Sequence, residues 1–343
     1  MGMPSTGQPV TVGPEANPVC PKHMVYGPCG GVRTGGRCEL DDGLSCPFVG
    51  SDLVKWAGEA SVPTASLEVP MVMTDLRVRA FDAVGIRKVA AIVGATADAV
   101  LIGDHQNRPD FPPAFVAALL LEAGARPWPV LTCRDRNRVA LEAEVASMAA
   151  VGVTGAHCVT GDARGTGVRR DADGVFDLDS LRLASLAASW GLVVSVAATP
   201  AAPPYDLRPK RVVQKQRAGA SLCIVNHAGG TAALSRFARA ARAVGCTLPL
   251  MACVAVFTDA ASAAVLAGFP GLLLDAHRVE AVVQADDPVE AGIQAAVDDA
   301  WAVLQTGDFA GIDLSGAATT GDELTSASIL AETVLRLQER LAR

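Results

Sequence analysis

From Val62 onward, short apolar runs rich in Val, Ile and Leu alternate with longer stretches in which Ala, Leu, Arg and Glu recur at helical spacing, one such pair roughly every 25–35 residues. The runs fall at 65–71 (ASLEVPM), 98–103 (DAVLIG), 128–133 (WPVLTC), 154–160 (TGAHCVT), 191–198 (GLVVSVAA), 221–226 (SLCIVN), 248–256 (LPLMACVAV) and 311–315 (GIDLS). Continuous apolar strands between helices mean a parallel sheet covered on both faces. Eight of them over about 260 residues predict an α/β fold, a (β/α)8 TIM barrel spanning residues 63–343. A doubly wound open sheet is the competing arrangement. Its glycine-rich G-x-G-x-x-G turn is missing, as is the phosphate-binding G-x4-G-K-[ST] loop, so the barrel is favoured.

Ahead of the barrel the pattern changes. Residues 1–19, rich in Pro, Gly, Ser and Thr, predict a segment that is flexible or draped over the body. Residues 20–50 carry four cysteines at near-regular spacing, Cys20, Cys29, Cys38 and Cys46, with glycines between them that let the backbone turn back on one centre. So short a stretch cannot bury a core of its own and needs a staple. A four-thiolate metal site fits. Two disulfides and free thiols are the alternatives, disulfides requiring an oxidising compartment. Zinc usually takes C-x2-C pairs, which are absent here, whereas Cys20-Pro21 and Cys46-Pro47 resemble iron–sulfur ligation; zinc and a [4Fe–4S] cluster both stay open. The other cysteines, Cys133, Cys158, Cys223, Cys246 and Cys253, sit among apolar residues and read as small buried hydrophobes.

Composition narrows the function classes. Half of the 343 residues are hydrophobic, yet no run of 18 apolar residues is free of charge, so no membrane span is expected. The net charge of −7 and the scarcity of aromatic residues argue against nucleic acid as partner. No secretory leader precedes Cys20, and a cytoplasmic location is the expectation.

A barrel places its active site at the carboxyl ends of its strands. There the sequence sets Glu68, Asp104, Gln106, Arg134, Asp162, Asn226 and His227, with Phe257 closing strand 7. A carboxylate inside an apolar strand, as Glu68 is, has its pKa raised by burial and suits general-acid work; a structural pairing with an arginine is the alternative. Asp162, in TGDARGTG, could hold adjacent N–H groups of a heterocycle, or simply cap a helix. Asp104 is a second pocket acid or a turn residue. The basic segment DLRPKRVVQKQRAGA offers Lys215 for a phosphate or carboxylate tail. His157 and His277 read as core or surface residues. No Ser-His-Asp or Cys-His triad assembles.

These stretches resemble the methylenetetrahydrofolate reductase family over residues 63–330: SLEVP, TCRDRNRVALEAEV, TGD with VFDLDSL, PPYDLRPKRVVQKQRAGA, and PLMACVAVFT followed by FPG. The four-Cys segment, with its GPCGG core, resembles a module joined to or encoded beside such reductases in some bacteria. The resemblance implies that FAD, reduced by NAD(P)H, passes hydride to the methylene carbon of 5,10-methylenetetrahydrofolate, giving 5-methyltetrahydrofolate. It implies Glu68 as the general acid, Asp162 as the carboxylate holding the pterin, and Lys215 near the flavin phosphates; by position, Arg134 faces the pocket as a further cofactor contact, and His227 is a phosphate or ring contact or a structural histidine. Asp104, Gln106, Asn226 and Phe257 would frame the folate. Val130 replaces a flavin-side histidine of relatives, and Val225-Asn226 replaces a Thr-Gln pair. Those departures open an alternative: a flavin-free tetrahydrofolate-dependent methyl transferase, or a subunit of a larger methyl-transfer or redox complex with a protein partner docked through the Cys module. Self-association as a homo-oligomer is compatible with a barrel of this size.

Overall fold

Eight parallel strands close on one another in chain order in the computed structural model, which describes residues 14–58, 71–104, 109–162, 172–269 and 271–343. They are β1 (Val72–Asp75), β2 (Ala99–Ile102), β3 (Pro127–Thr132), β4 (Gly155–Val159), β5 (Val193–Ala198), β6 (Leu222–Val225), β7 (Leu250–Phe257) and β8 (Gly311–Ala318). Between them run α1 (Ala83–Val93), α2 (Pro113–Glu122), α3 (Arg138–Val151), α4 (Ser180–Ser189), α5 (Arg208–Arg217) and α6 (Thr231–Ala243). The β7–β8 crossover holds three helices, α7 (Ala260–Ala267), α8 (Ala276–Val283) and α9 (Pro288–Gln305), and α10 (Glu323–Leu341) ends the chain. The (β/α)8 expectation holds and the open sheet does not. One strand was misplaced: the slot expected for residues 65–71 is filled by Val72–Asp75, which pairs with β2 at Met73↔Ala99 and with β8 at Val72↔Ile312.

Strand periodicity sorts the core into two layers. One set of side chains, including Val72, Val100, Leu131, Val194, Val254 and Leu314, is buried under the helices. The alternate set, Met73, Ala99, Trp128, Val193, Leu222, Ile224, Met251 and Cys253, plugs the barrel interior. Trp128 is wholly buried and donates from Nε1 to Ser195 Oγ at 2.8 Å, so its one polar atom is satisfied. Cys133, Cys158, Cys223 and Cys246 lie in the outer layer, as small hydrophobes should.

Seven helices start on an Asp or Asn whose side chain accepts a free backbone N–H. Asp259 does more. Besides Ser262 N (2.7 Å) it accepts from Thr319 Oγ1 (2.9 Å), Thr320 N (2.8 Å) and Thr320 Oγ1 (3.1 Å), tying the start of α7 to the loop after β8. Those bonds hold its carboxyl at about 2 against burial. Asp259→Ala is expected to cost about 1–2 kcal/mol in denaturant unfolding, a loss that an unchanged midpoint would refute.

The N-terminal segment docks on the barrel mouth. Val25 and Tyr26 pack with Leu181 and Ala218, and Ala16 and Trp56 complete that cluster. Residues 14–19 follow the draped alternative: Ala16 joins that cluster and Asn17 N donates to Met24 O at 3.0 Å. Residues 1–13 lie outside the described part. Polar bonds fasten the rest. Gln214 Nε2 donates to Tyr26 O (3.1 Å) and Val54 O (2.5 Å), and Val25 N donates to Asp179 Oδ2 (3.3 Å). Arg208, 4 % exposed, donates from Nε to Ala202 O (2.9 Å), from Nη1 to Cys29 O (2.8 Å) and from Nη2 to Pro203 O.

Candidate functional site

A cavity of about 700 Å³ opens at the carboxyl ends of the strands. Its floor is the inner layer of the barrel and its side is the N-terminal segment, which contributes Lys22, Pro28, Cys29, Gly30 and Gly31. The GPCGG core is therefore a wall of the site. Gly31 is required there, because a Cβ would lie 2.0 Å from Glu39 Oε1.

The acid that faces this cavity is Asp75, the last residue of β1, and the sequence reading missed it. Glu68 lies outside the described residues. The missed signal was parity: Met73 and Asp75 share one face of the strand, and that face is the barrel interior. Asp75 Oδ2 accepts from Gly316 N at 2.8 Å. Gly316 has φ +118°, and a Cβ would press on Val256 O and Leu266 Cδ1, both 3.0 Å away, so glycine alone brings this N–H to the carboxylate. Burial, reinforced by Asp313 on the neighbouring strand, pushes the Asp75 carboxyl well above the usual range. A carboxyl raised in this way is chemically suited to giving up a proton to a bound ligand.

Asp162 also lines the cavity. Burial raises its carboxyl, while Lys22 and Arg134 beside it work the other way. Lys22 is 2 % exposed, ion-pairs with Glu39 and donates to Gly161 O at 2.6 Å. Burial alone would neutralise it, but Cys29 and Glu39 hold its pKa up. Asp104 reaches the cavity with its carboxylate already engaged by Thr132 Oγ1 (2.8 Å), Arg136 Nη1 (2.6 Å) and Arg134 Nη2 (3.7 Å). Arg134, 2 % exposed, also bonds Asp135 through Nε at 2.9 Å. Asn226 lines the cavity, with Cys253 Sγ 3.9 Å from its Oδ1. Gln106 lies outside the described residues.

Two expected site residues are elsewhere. Phe257 packs with Ala263, Leu266, Val282 and Ala295 beneath α7–α9. A register shift between Ala255 and Phe257 carries the strand end out of the interior alternation. His227 is buried with Nε2 2.7 Å from Ser315 Oγ, its carbonyl accepts from Leu273 N, and it is not among the described residues lining the cavity. It reads as structural, and burial lowers its pKa to about 4, so it stays neutral. Conversely His157, taken for a core or surface residue, lines the cavity. Its Nδ1 lies 2.8 Å from Ser195 Oγ, and burial pushes it down to about 3.

One side of the cavity is cationic. Arg208, Arg211 and Lys215 project from α5. Arg211 Nη1 donates to Gln214 Oε1 at 2.7 Å and Lys215 Nζ to Ala197 O at 2.7 Å; neither makes an ion pair with a carboxylate among the described residues. Uncompensated cations facing a cavity fit a phosphate or carboxylate group. Burial, helped by Arg211, lowers Lys215 to about 7. A lysine depressed in the folded state binds fewer protons there than when unfolded between pH 7 and about 10.4, so stability rises with pH through that window. Lys215→Met is therefore expected to stabilise the protein at pH 6, by on the order of 4–5 kcal/mol, and to lose that advantage toward pH 10. Denaturant melts at both pH values check this; a pH-independent effect would refute it.

None of the four cysteines of the N-terminal module is joined in a disulfide. Cys20 joins Met24 and Phe48 in an apolar cluster against which Cys29 and Cys46 pack. Burial raises Cys20 and Cys46, and pushes Cys29 up to about 12. Among the described residues no three Cys, His, Asp or Glu side chains converge closely enough to hold a metal ion. Cys29 turns instead toward Glu39, with Sγ 3.5 Å from Oε1. A metal or cluster at these four cysteines stays an expectation, which metal analysis of the purified protein tests.

Fold and site together define a two-part (β/α)8 protein: a barrel with an acid at the end of β1, and a thiol-bearing segment that walls the pocket. Residues 12–57 match the protein-family model described as "Methylene-tetrahydrofolate reductase C terminal". The resemblance to methylenetetrahydrofolate reductases is upheld by that match and by the eight-stranded barrel. No curated protein sequence matches the chain. Among solved structures, a Clostridium thermocellum protein described as uncharacterized and binding two copies of 5-methyl-5,6,7,8-tetrahydrofolic acid superposes with a TM-score of 0.58 at 11 % identity, over 78 % of this chain and 95 % of its own. At that identity the likeness concerns the fold. Thiamine phosphate pyrophosphorylase from Pyrococcus furiosus (TM-score 0.40, 13 % identity, 78 % of this chain and 96 % of that one) is too distant in geometry to bear on the site. The same holds for oxaloacetate acetylhydrolase (TM-score 0.44, 13 % identity, 80 % of each chain). No helix among the described residues is long and apolar enough to cross a membrane.

Proposed function

We propose that this chain is a methylenetetrahydrofolate reductase-like enzyme of folate metabolism, taking 5,10-methylenetetrahydrofolate to 5-methyltetrahydrofolate. The observation that carries the reading is that the segment matching the reductase family model supplies one wall of the barrel's own cavity, opposite a buried acid. A barrel with a similar fold is described as binding the methylated folate.

In this reading Asp75 takes the role the sequence assigned to Glu68. Held protonated, it gives its proton to a ring nitrogen of the folate, which opens the five-membered ring to an electrophilic iminium. Asp162, with Lys22 beside it, accepts paired N–H groups of the pterin. Val130, Val159 and Leu101 give the cavity an apolar surface for flat rings. Arg211 and Lys215 fit the phosphates of a flavin or the carboxylates of a folate tail. A bound flavin would supply the hydride; the protein orients the rings and excludes water.

Calorimetry with 5-methyltetrahydrofolate, together with the absorption spectrum and NAD(P)H oxidation in the presence of 5,10-methylenetetrahydrofolate, tests the proposal. Saturable folate binding and folate-dependent NAD(P)H oxidation are expected. Folate binding without such oxidation, with or without added FAD, would favour the methyl-transferase reading, for which Val130 speaks by offering an aliphatic group where reductase relatives present a histidine. No folate binding would end both.

A further inference from the structure

Asp75 has an unusual neighbour. Asp313 sits on β8, the strand that closes the barrel against β1, in register with Met73. Asp75 is therefore two residues further along the same inner face of the adjacent strand, and the two carboxyls occupy one corner of the barrel interior. Asp313 is 1 % exposed. Its Oδ2 takes only a weak contact from Cys253 Sγ at 3.4 Å, and its Oδ1 is buried with no hydrogen-bond partner. Asp75 has the backbone N–H of Gly316. Among the described residues neither carboxyl makes an ion pair with Lys, Arg or His. The other titratable or charged groups near this corner are Cys253 on β7, Arg77 and Arg79 just past β1, whose guanidinium groups bond Thr319 O and Gly321 O and pair with Asp82 and Glu323 respectively, Glu323 at the start of α10 and, across the cavity, His157 on β4, Lys215 on α5, and Asp104 with Arg134 beyond β2 and β3.

Two neighbouring buried carboxylates that make no ion pair raise each other's cost of ionisation; the repulsion and the lost hydration are relieved by keeping one of them protonated. We propose that Asp75 and Asp313 form a proton-sharing carboxyl pair, in which Asp313 is a positioning residue that keeps the proton on Asp75. The direction of each group's titration agrees: burial raises both, and Asp313 adds to the rise at Asp75. The pair titrates as a unit, so its pKa values belong to both residues. Its relevance to turnover rests on the reductase reading, in which Asp75 is the proton donor; the existence of the pair does not.

Infrared difference titration of the full-length, ligand-free protein reads the pair directly. A protonated-carboxyl band that persists at pH 7 is expected in the wild type. In Asp313→Asn the remaining Asp75 has no anionic neighbour, and its midpoint is expected to fall by about one pH unit or more. Asp313→Ser, smaller and also uncharged, gives the same shift should the asparagine variant fold poorly. In the steady state, the alkaline limb of kcat/KM moves to lower pH by the same amount, because the donor then loses its proton earlier. A merely structural Asp313 would lower activity at every pH without moving that limb. Absence of a protonated carboxyl at pH 7 in the wild type, or an Asp75 midpoint unmoved in both variants, would overturn the proposal. A shifted midpoint in a protein that neither binds nor turns over folate would leave the pair standing and remove the reductase reading.

Discussion

Replacing Asp75 by asparagine is expected to reduce turnover by about 10²–10⁴-fold while changing folate affinity little. The substitution keeps the size of the side chain and can still accept from Gly316 N, but it removes the proton that ring opening needs. Most of the loss should therefore appear in kcat, since the missing interaction belongs to the transition state. Stopped-flow measurement of the hydride-transfer step, alongside calorimetry, separates the two quantities. A variant that keeps wild-type turnover would remove Asp75 from the chemistry and return attention to Glu68. Because the asparagine is neutral, the variant should also lose the alkaline limb of the pH profile that the acid imposes.

The second large effect is expected at Arg208. This buried guanidinium closes three backbone carbonyls, those of Ala202, Pro203 and Cys29, and the third belongs to the N-terminal wall. Arg208→Ala leaves those carbonyls without their donor and opens a void beneath the GPCGG loop. A destabilisation on the order of 3–5 kcal/mol is expected. Methyltetrahydrofolate affinity should drop at least about tenfold, a loss of roughly 1.4 kcal/mol, because a wall of the pocket is no longer held. Denaturant unfolding and calorimetry measure the two effects. Arg208→Lys, which can keep one of the three bonds, should fall between. Unaltered affinity in a destabilised Arg208→Ala variant would show that the wall contributes nothing to the ligand.

The sequence is informative about the barrel because each strand is an unbroken apolar run and each helix an amphipathic one. Seven of the eight strands fall within a few residues of the expected positions. β1 escaped because the apolar run expected to form it precedes it, and it ends on the polar pair Thr74-Asp75 where the other strands stay apolar for longer. Arg134, Asp104, Asp162 and Asn226 were legible because a polar residue just past a strand end has only the barrel mouth to face. Asp313 and His157 were not, because each sits inside a strand where polarity looks like an anomaly, and because only closure of the barrel reveals which face is inward. Phe257 and His227 stand at strand ends as read, but a register shift turns one away and Ser315 holds the other. The contribution of Lys22 and of the α5 side chains Arg208 and Gln214 to seating the wall depends on contacts between residues more than 130 positions apart, which no local pattern encodes.

The shared wall has a thermodynamic corollary. A ligand lying against Pro28–Gly31 is, energetically, also a ligand of the thiol segment, and coupling of this kind is reciprocal. Whatever factor a change in the segment applies to folate affinity, folate applies in return to the segment's own equilibria: opening of the loop, alkylation of Cys29, or uptake of a soft metal by its thiols. Occupancy of the barrel and the chemical state of four cysteines are thereby two readings of one equilibrium, and the rate at which a thiol reagent reaches Cys29 becomes a measure of how full the pocket is.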